Sequence, residues 1–228
     1  MKKILFVLAM LMLVACAGNR GVSETQISTA PAYVPLSKQP PYDDAAIAAS
    51  YYTTQLAVLK KGSLEDIETT DWLRFRKEFL KCKLSKPEKY ANSLVEKAMN
   101  KMRNEGNLKE ASEMAHNILD NNFTSIPSHF TIWSDTTENA ETREYHRQVL
   151  VSLLTSIGEP GRGTSVENAM YVISIGEEYD FLYLNGFNPT GQALIEENGR
   201  YFDQMDATDS EGKKYRFIFE VSDFFGHY

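Results

Sequence analysis

The sequence predicts an α+β fold, in which N-terminal helical hairpins are followed by a small antiparallel β-sheet. Apolar side chains recur at helical spacing across residues 44–157, and they alternate at strand spacing in much of residues 158–228. The two patterns are separated by Gly158–Gly163, where three glycines and a proline break the helical periodicity. We therefore expect a helical region with a sheet region packed against it.

Residues 1–15 predict an export signal. Two basic residues, Lys2 and Lys3, precede the apolar stretch Ile4–Leu13, and small residues follow it. The apolar stretch is too short for a membrane span, which needs about 20 residues to cross roughly 30 Å of hydrocarbon. A removable signal peptide is therefore favoured over a permanent transmembrane anchor.

Cys16 is the predicted lipidation site. It directly follows Leu-Val-Ala, the pattern of a bacterial lipoprotein signal peptide, so its thiol is expected to be acylated with fatty acids such as palmitate. Several buried acyl chains hold a protein durably on a bilayer. The next residue is Ala17 and not Asp, which by the usual sorting pattern favours the outer membrane of a Gram-negative cell. The alternative is an ordinary secretory signal in which Cys16 has no role.

The composition excludes some classes of partner and bond. Without Lys2 and Lys3, 22 basic side chains stand against 31 acidic ones, a net charge of −9. Nucleic acid is not expected as a partner, because its phosphates require a basic surface. Once Cys16 carries lipid, Cys82 is the single remaining cysteine, so an intrachain disulfide cannot form.

Residues 16–43 predict a lipidated N-terminus and a flexible linker. Four prolines and many Ser, Thr and Ala residues occur there, without helical or strand periodicity. Such a composition buries too little apolar surface to offset the entropy of ordering, and its prolines favour extended conformations. We expect the segment to hold the folded body away from the membrane.

The helical region, residues 44–157, contains several amphipathic segments. A first helix is expected from Asp43 or Asp44 to about Leu59, and later helices carry apolar faces as far as Ile157. The turn Asn104–Ala111 resembles the turn between the two helices of a tetratricopeptide repeat. Only about one and a half repeat lengths are present, so we expect hairpins packed on another layer instead of a superhelix.

The sheet region, residues 158–228, is expected to hold four antiparallel strands. They are predicted at residues 169–175, 179–184, 201–208 and 214–221. Residues 186–191 are predicted as a loop, and Asp209–Gly212 is a strong turn signal between the last two strands.

Several segments together resemble a known family. They include Tyr145-His146-Arg147, Gly161–Ser165, Glu177–Leu182, Pro189–Leu194 and Tyr215–Phe219. In this order they are similar to the bacterial envelope family called domain of unknown function 4919, over roughly residues 94–225. The resemblance implies an exported protein and supports the division into helices and sheet. It implies no activity.

Four residues are candidates for structural or ligand contacts: Glu177, Glu178, His146 and Arg147. On a strand, Glu177 and Glu178 would point to opposite faces and could not act as an acid–base pair from one side. One of them is expected to pair with Arg147 or Arg162 and so join the two regions. His146 and His129 lie on helices that could be neighbours, and hydrogen bonding is favoured over catalysis for both.

No metal or cofactor site is predicted. The glycines of residues 158–165 lack the lysine of a phosphate-binding loop, and the acidic residues 203–211 lack the spacing of a calcium loop. No catalytic residue is assigned.

The preferred functional hypothesis is a non-catalytic lipoprotein that faces the periplasm and binds an envelope protein or peptide. Its first partner is the lipid bilayer, through acylated Cys16. One alternative is a cell-envelope hydrolase that uses acidic residues such as Glu177 or Glu178. The other is a purely structural envelope protein without a specific ligand.

Overall fold

The computed structural model describes residues 33–91 and 93–227. The predicted signal peptide, the lipidation site Cys16 and the linker as far as residue 32 lie outside the described residues. Within the described part of the chain, no helix combines the length and the hydropathy needed to cross a membrane.

Eight α-helices precede the sheet in the described residues. They are α1 (Asp44–Ala49), α2 (Tyr51–Leu59), α3 (Leu64–Thr69), α4 (Trp72–Ser85), α5 (Ser93–Asn104), α6 (Leu108–Asn121), α7 (Ile126–Ser134) and α8 (Ala140–Gly158). From α5 onwards each helix packs on the next one along the chain. The predicted helical region is therefore confirmed as helices, while the tetratricopeptide likeness remains a prediction.

The first predicted helix is interrupted at Ser50. This residue has an extended backbone (φ −63°, ψ 153°) that ends α1. Its hydroxyl accepts a hydrogen bond from the Thr53 amide at 3.2 Å and so caps the start of α2. A serine in a helical pattern can thus separate two helices, because its side chain satisfies the amides of a new first turn.

The C-terminal region holds four strands and one more helix. They are β1 (Met170–Tyr171), α9 (Ile175–Leu184), β2 (Asn188–Glu197), β3 (Arg200–Thr208) and β4 (Lys214–Glu220). The strand order is β1-β4-β3-β2, with the pairs β2–β3 and β3–β4 antiparallel. The pair β1–β4 is parallel, so the sheet is mixed and the prediction of a purely antiparallel sheet is wrong. The chain between β1 and β4 leaves room for β1 to join the sheet in the same direction as the last strand.

The predicted strand at residues 179–184 is a helix, α9. Residues 176–184 contain no Val, Ile or Thr, the residue types that most favour strands over helices. The backbone of Ser174 is extended and its side chain caps the helix. Glu178 and Leu182, one helical turn apart, are both fully buried at 0 % exposure. The adjacent predicted strand at 169–175 is reduced to the two residues of β1.

Strand β2 occupies part of the predicted loop at residues 186–191 and continues to Glu197. It was missed because Pro189 and Gly191 are unfavourable in a regular strand. The pairing register shifts between these two residues, which marks a β-bulge. Since β2 is the outer strand of the sheet, the proline costs no hydrogen bond to a further strand.

Residues 33–39, inside the predicted linker, contact the C-terminal segment. The Tyr33 hydroxyl donates to Asp223 Oδ1 at 2.6 Å, and the Leu36 amide donates to the same oxygen at 2.8 Å. Tyr171 of β1 donates to Asp223 Oδ2 at 2.6 Å. Asp223 therefore joins the start of the described chain to β1 and to its own end. One continuous hydrophobic core extends from Ile47 in α1 to Phe224.

Candidate functional site

A buried ion pair connects the helical region to α9. Arg76 of α4 is 0 % exposed, and its guanidinium bonds the carboxylate of Glu177 through Nε and Nη2. The same guanidinium donates to Ser156 Oγ of α8 at 3.2 Å and to the carbonyl of Tyr171 at 3.0 Å. Glu177 also accepts from the Ile173 amide at 3.0 Å. Four elements meet at this guanidinium, and every charge in the pair is hydrogen-bonded, as a buried ion pair requires.

The predicted pairing of Glu177 or Glu178 with Arg147 or Arg162 is wrong. Arg147 instead bonds Glu144 on the same helix, at 2.7 and 2.8 Å, in a bidentate contact that is partly exposed. The predicted junction between the two regions exists, but Arg76 supplies its cation. Arg76 lies on the buried face of α4, one turn from both Trp72 and Leu80. A single cation on an apolar helical face is a signal by which the sequence could have identified it.

A cleft of about 520 Å³ opens beside this ion pair, and we call it the interface cleft. It lies between α4, α5 and α7 on one side and the first turns of α9 on the other. Buried apolar side chains form part of its wall, namely Phe79, Tyr90, Ile126 and Ile173. Its polar groups come mainly from Lys83, Glu96, Asn100, Glu177 and Asp180.

Two carboxyl groups of the interface cleft have raised pKa values. Burial raises the pKa of Asp180 to about 7, and the nearby Glu177 and Glu96 carboxylates add to the effect against an opposing contribution from Arg103. Burial also raises the pKa of Glu96, which Lys83 and the Asn122 amide partly offset. Near neutral pH the cleft thus holds Asp180 in both protonation states.

The cleft also contains an acceptor that lacks a partner. Asn100 Oδ1 is buried, and no donor among the described residues reaches it. A buried acceptor without a partner is costly, and a ligand donor would offset that cost. With the carboxylates of Glu96 and Asp180, the arrangement favours a ligand group rich in N–H donors or positively charged. Acid–base chemistry is a second use for a carboxyl group that titrates near neutrality.

Glu178 lies on a different side of α9 from Glu177. It is 0 % exposed, and neither carboxyl oxygen receives a hydrogen bond from a described donor. Burial raises its pKa to about 9, and the charge of the neighbouring Asp203 on β3 adds to the shift. Glu178 is therefore a neutral carboxylic acid at pH 7, able to share its proton with Asp203.

His146 pairs with His129, as the expected neighbouring helices allow. His129 Nε2 lies 2.9 Å from the Phe123 carbonyl, which can only accept, so this nitrogen carries a proton. Burial lowers the pKa of His129 to about 4, so its Nδ1 is an acceptor. It lies 2.8 Å from His146 Nδ1, which must therefore donate. His146, with a pKa lowered to about 2 by burial and then by its histidine neighbours, keeps Nε2 unprotonated at the edge of a second cleft of about 500 Å³.

The four predicted residues thus lie at four separate places and do not form one site. Glu177 lines the interface cleft, Glu178 lies behind β3, His146 borders the second cleft, and Arg147 lies on the surface of α8. Sequence reasoning missed Glu96, Asn100 and Asp180, because they come from elements that only the tertiary structure brings together. Across the described residues, no group of three or more His, Cys, Asp or Glu side chains is placed to hold a metal ion.

Comparison with known families gives one match. The family described as Domain of unknown function (DUF4919) matches residues 75–228, well over half of the chain. This confirms the resemblance drawn from the sequence segments, and it extends the matched region to α4, which carries Arg76. No curated protein and no solved structure matches the chain.

Proposed function

The chain belongs to the family of domain of unknown function DUF4919, and we propose that it is a lipoprotein whose body binds an envelope protein or peptide without catalysis. In this proposal acylated Cys16 attaches the chain to the outer membrane of a Gram-negative cell, with the body facing the periplasm. The helical hairpins, including the tetratricopeptide-like pair α5–α6, form one wall of the binding site.

The interface cleft is the observation that supports binding. It is concave, it has buried apolar walls, and its polar groups are chiefly acceptors. A peptide segment with a protonated amine fits this chemistry, because Glu96, Asp180 and the unpartnered Asn100 Oδ1 would accept its N–H groups. Glu177 is already bonded to Arg76, so its role in this proposal is to hold the first turn of α9 in place.

The membrane attachment is tested by changing Cys16→Ala and fractionating the cells. We expect the variant to leave the membrane fraction and appear in the periplasmic extract, since the acyl chains supply the attachment. The control is Cys82→Ala, which alters the buried cysteine and leaves the lipidation site intact. A Cys16→Ala protein that stays with the membrane contradicts the proposal.

Binding at the cleft is tested with a photo-crosslinking amino acid at Ala91, an exposed residue on its rim. In cells we expect a discrete adduct that Asp180→Asn removes, because the ligand amine loses its acceptor. Glu113→Gln, an exposed carboxylate on α6, is the matched control and should preserve the adduct. An adduct that survives Asp180→Asn unchanged would place binding elsewhere.

A second candidate function is hydrolysis of cell-envelope material. The observation in its favour is the pKa of Asp180, about 7, with Glu96 close enough to influence it, since a general acid works best with a pKa near the working pH. Purified cell-wall sacculi incubated with the full chain would release soluble fragments under this hypothesis, and Asp180→Asn would abolish the release. The binding proposal predicts no release above that of a protein-free control.

A further inference from the structure

The outer edge of the sheet is open along β2. This strand is last in the order β1-β4-β3-β2, and eight of its ten residues are exposed. An edge strand presents N–H and C=O groups that lack a strand partner, and proteins usually protect such edges with charges, prolines or bulges. Here Pro189 and the bulge lie at one end and Glu196 and Glu197 at the other. The six residues between them, Thr190–Ile195, carry no charge.

A pocket of about 360 Å³ lies beside this edge, and we call it the Asp203 pocket. Its lining is largely apolar and includes Ile175, Leu194, Val221 and Phe225. Asp203, only 6 % exposed, is its one ionisable lining residue. The Gln192 amide donates to Asp203 Oδ2 at 2.7 Å and so fixes the carboxylate.

The Asp203 pocket carries negative charge without a cation to balance it. Glu178 lies behind Asp203, fully buried, and neither of its oxygens receives a hydrogen bond from a described donor. In residues 33–91 and 93–227, no Lys, Arg or His forms an ion pair with either acid. Two neighbouring acids in an apolar setting, with at least one charge between them, are costly unless a cation approaches. Apolar walls around an acid fit the alkyl stem and charged head of a basic side chain.

We propose that β2 and the Asp203 pocket together bind an extended basic segment of another protein. The segment adds a strand to the sheet through main-chain hydrogen bonds, and one of its Lys or Arg side chains enters the pocket. Backbone pairing supplies affinity in this mode of recognition, and a side-chain pocket supplies specificity. The surface is distinct from the interface cleft: Ile175 lines the pocket, whereas Ser174, Gly176 and Glu177 line the cleft.

Charge identifies the occupant as a different polypeptide and not a second copy of this strand. β2 contains no Lys or Arg, so the same strand of another copy could not place a cation against Asp203. A second copy would also bring its own Glu196 and Glu197 to an edge that already carries this pair. A basic partner gains from the net charge of the chain, −7 over all 228 residues, which favours its approach.

The proposal is tested with the full acylated chain in detergent and two labelled peptides. Both are short, extended, rich in Thr and Val, and differ only in a central lysine or norleucine. Fluorescence anisotropy should show at least about tenfold tighter binding of the lysine peptide, because the norleucine peptide leaves the acid pair without a cation. A lysine peptide methylated on its backbone nitrogens should bind much more weakly, since it cannot add a strand.

Asp203→Asn should reduce the affinity for the lysine peptide to that of the norleucine peptide. The matched control is Asp206→Asn on the same strand, whose carboxylate is exposed and bonded to Arg216, and it should leave the difference between the peptides intact. Leu194→Arg is a second variant at a half-exposed position, where the chain itself supplies the cation and blocks the pocket. Asp180→Asn in the interface cleft should have no effect, which separates this proposal from the proposed function.

Equal binding of the lysine and norleucine peptides to the unaltered chain would overturn the proposal. So would an Asp206→Asn effect as large as that of Asp203→Asn, because attraction would then come from overall charge. Undiminished binding of the N-methylated peptide would exclude strand addition.

Discussion

Glu177 and Glu178 are neighbours in sequence, yet α9 directs their carboxyl groups into different environments. Successive residues on a helix are about 100° apart, so one carboxylate reaches Arg76 while the other faces Asp203. The first is a charged partner in a hydrogen-bonded pair, and the second is a neutral acid at pH 7. Identical side chains thus differ in charge because only one of them meets a cation.

Glu178→Gln should change how stability depends on pH. The folded-state pKa, about 9, lies above the ordinary 4.5, so the folded chain keeps a proton that the unfolded chain releases between these values. The unfolding free energy of the wild type therefore falls as pH rises through this window, by up to about 1.4 kcal/mol per pH unit from this group. The variant lacks this loss, so its stability relative to the wild type should increase with pH.

Urea unfolding between pH 5 and pH 9 measures the Glu178 effect. Glu113→Gln, which alters an exposed carboxylate, serves as the control and should follow the wild type at every pH. Parallel curves for Glu178→Gln and the wild type would mean that Glu178 is not protonated in the folded chain.

The tautomers of His129 and His146 are a second prediction at the residue scale. The Phe123 carbonyl requires the proton of His129 on Nε2, and the contact between the two Nδ1 atoms then requires the proton of His146 on Nδ1. Nitrogen-detected NMR of the imidazoles should show these opposite tautomers, with neither ring protonated at pH 6. Identical tautomers, or a titration of His146 near pH 6.5, would contradict the geometry.

At the scale of elements, α9 decides where the acidic groups lie. Its first turn supplies Glu177 to the buried ion pair and Glu178 to Asp203, and its second turn supplies Asp180 to the interface cleft. The helix begins at Ser174, whose hydroxyl accepts from the Glu177 amide at 3.3 Å. The same segment in a strand would separate these carboxylates across two faces of the sheet.

Ser174→Ala should therefore destabilise the chain by about 1 kcal/mol through loss of the helix cap. The physical reason is that the Glu177 amide loses its acceptor at the start of α9. Chemical unfolding measures the change, and hydrogen exchange at the Glu177 and Glu178 amides should become faster. Ser174→Asp retains a capping acceptor and should stay close to the wild type; an equal loss in both variants would show that the cap is unimportant.

Elements with strong local periodicity were predictable, and short or ambiguous ones were not. The strands β3 and β4 and the long helices α4 and α8 follow from apolar spacing alone. The segment that forms α9 has apolar and aromatic residues compatible with either a helix or a strand, and its capping serine was overlooked. Strand β2 was concealed by Pro189, which is acceptable because no further strand within the described residues pairs with that edge.

At the scale of the whole molecule, Arg76 holds the two regions together. It connects α4 with α8, β1 and α9 from a fully buried position, and Asp223 connects the segment at Tyr33 with β1. Both polar contacts lie within or next to one hydrophobic core, so helices and sheet are expected to unfold together.

A double-mutant cycle tests the Arg76–Glu177 pair. Arg76→Met and Glu177→Met should each destabilise the chain by about 3–5 kcal/mol, because each leaves a buried charge without its partner. The double variant should lose much less than the sum of the two, since it leaves neither charge behind. Unfolding by guanidinium chloride gives all three values, and additive losses would contradict a direct coupling.

The sequence by itself determined the α+β class, the family, most long helices, the β3–β4 hairpin and the net negative charge, because these depend on local spacing and composition. Only the tertiary structure decided that residues 175–184 form a helix, that β1 runs parallel to β4, and that Arg76 is the partner of Glu177. It also brought Glu96, Asn100 and Asp180 to one cleft and Glu178 to Asp203. The physical reason is that each of these outcomes depends on contacts between residues far apart in the chain, which burial and charge pairing select only once the elements pack.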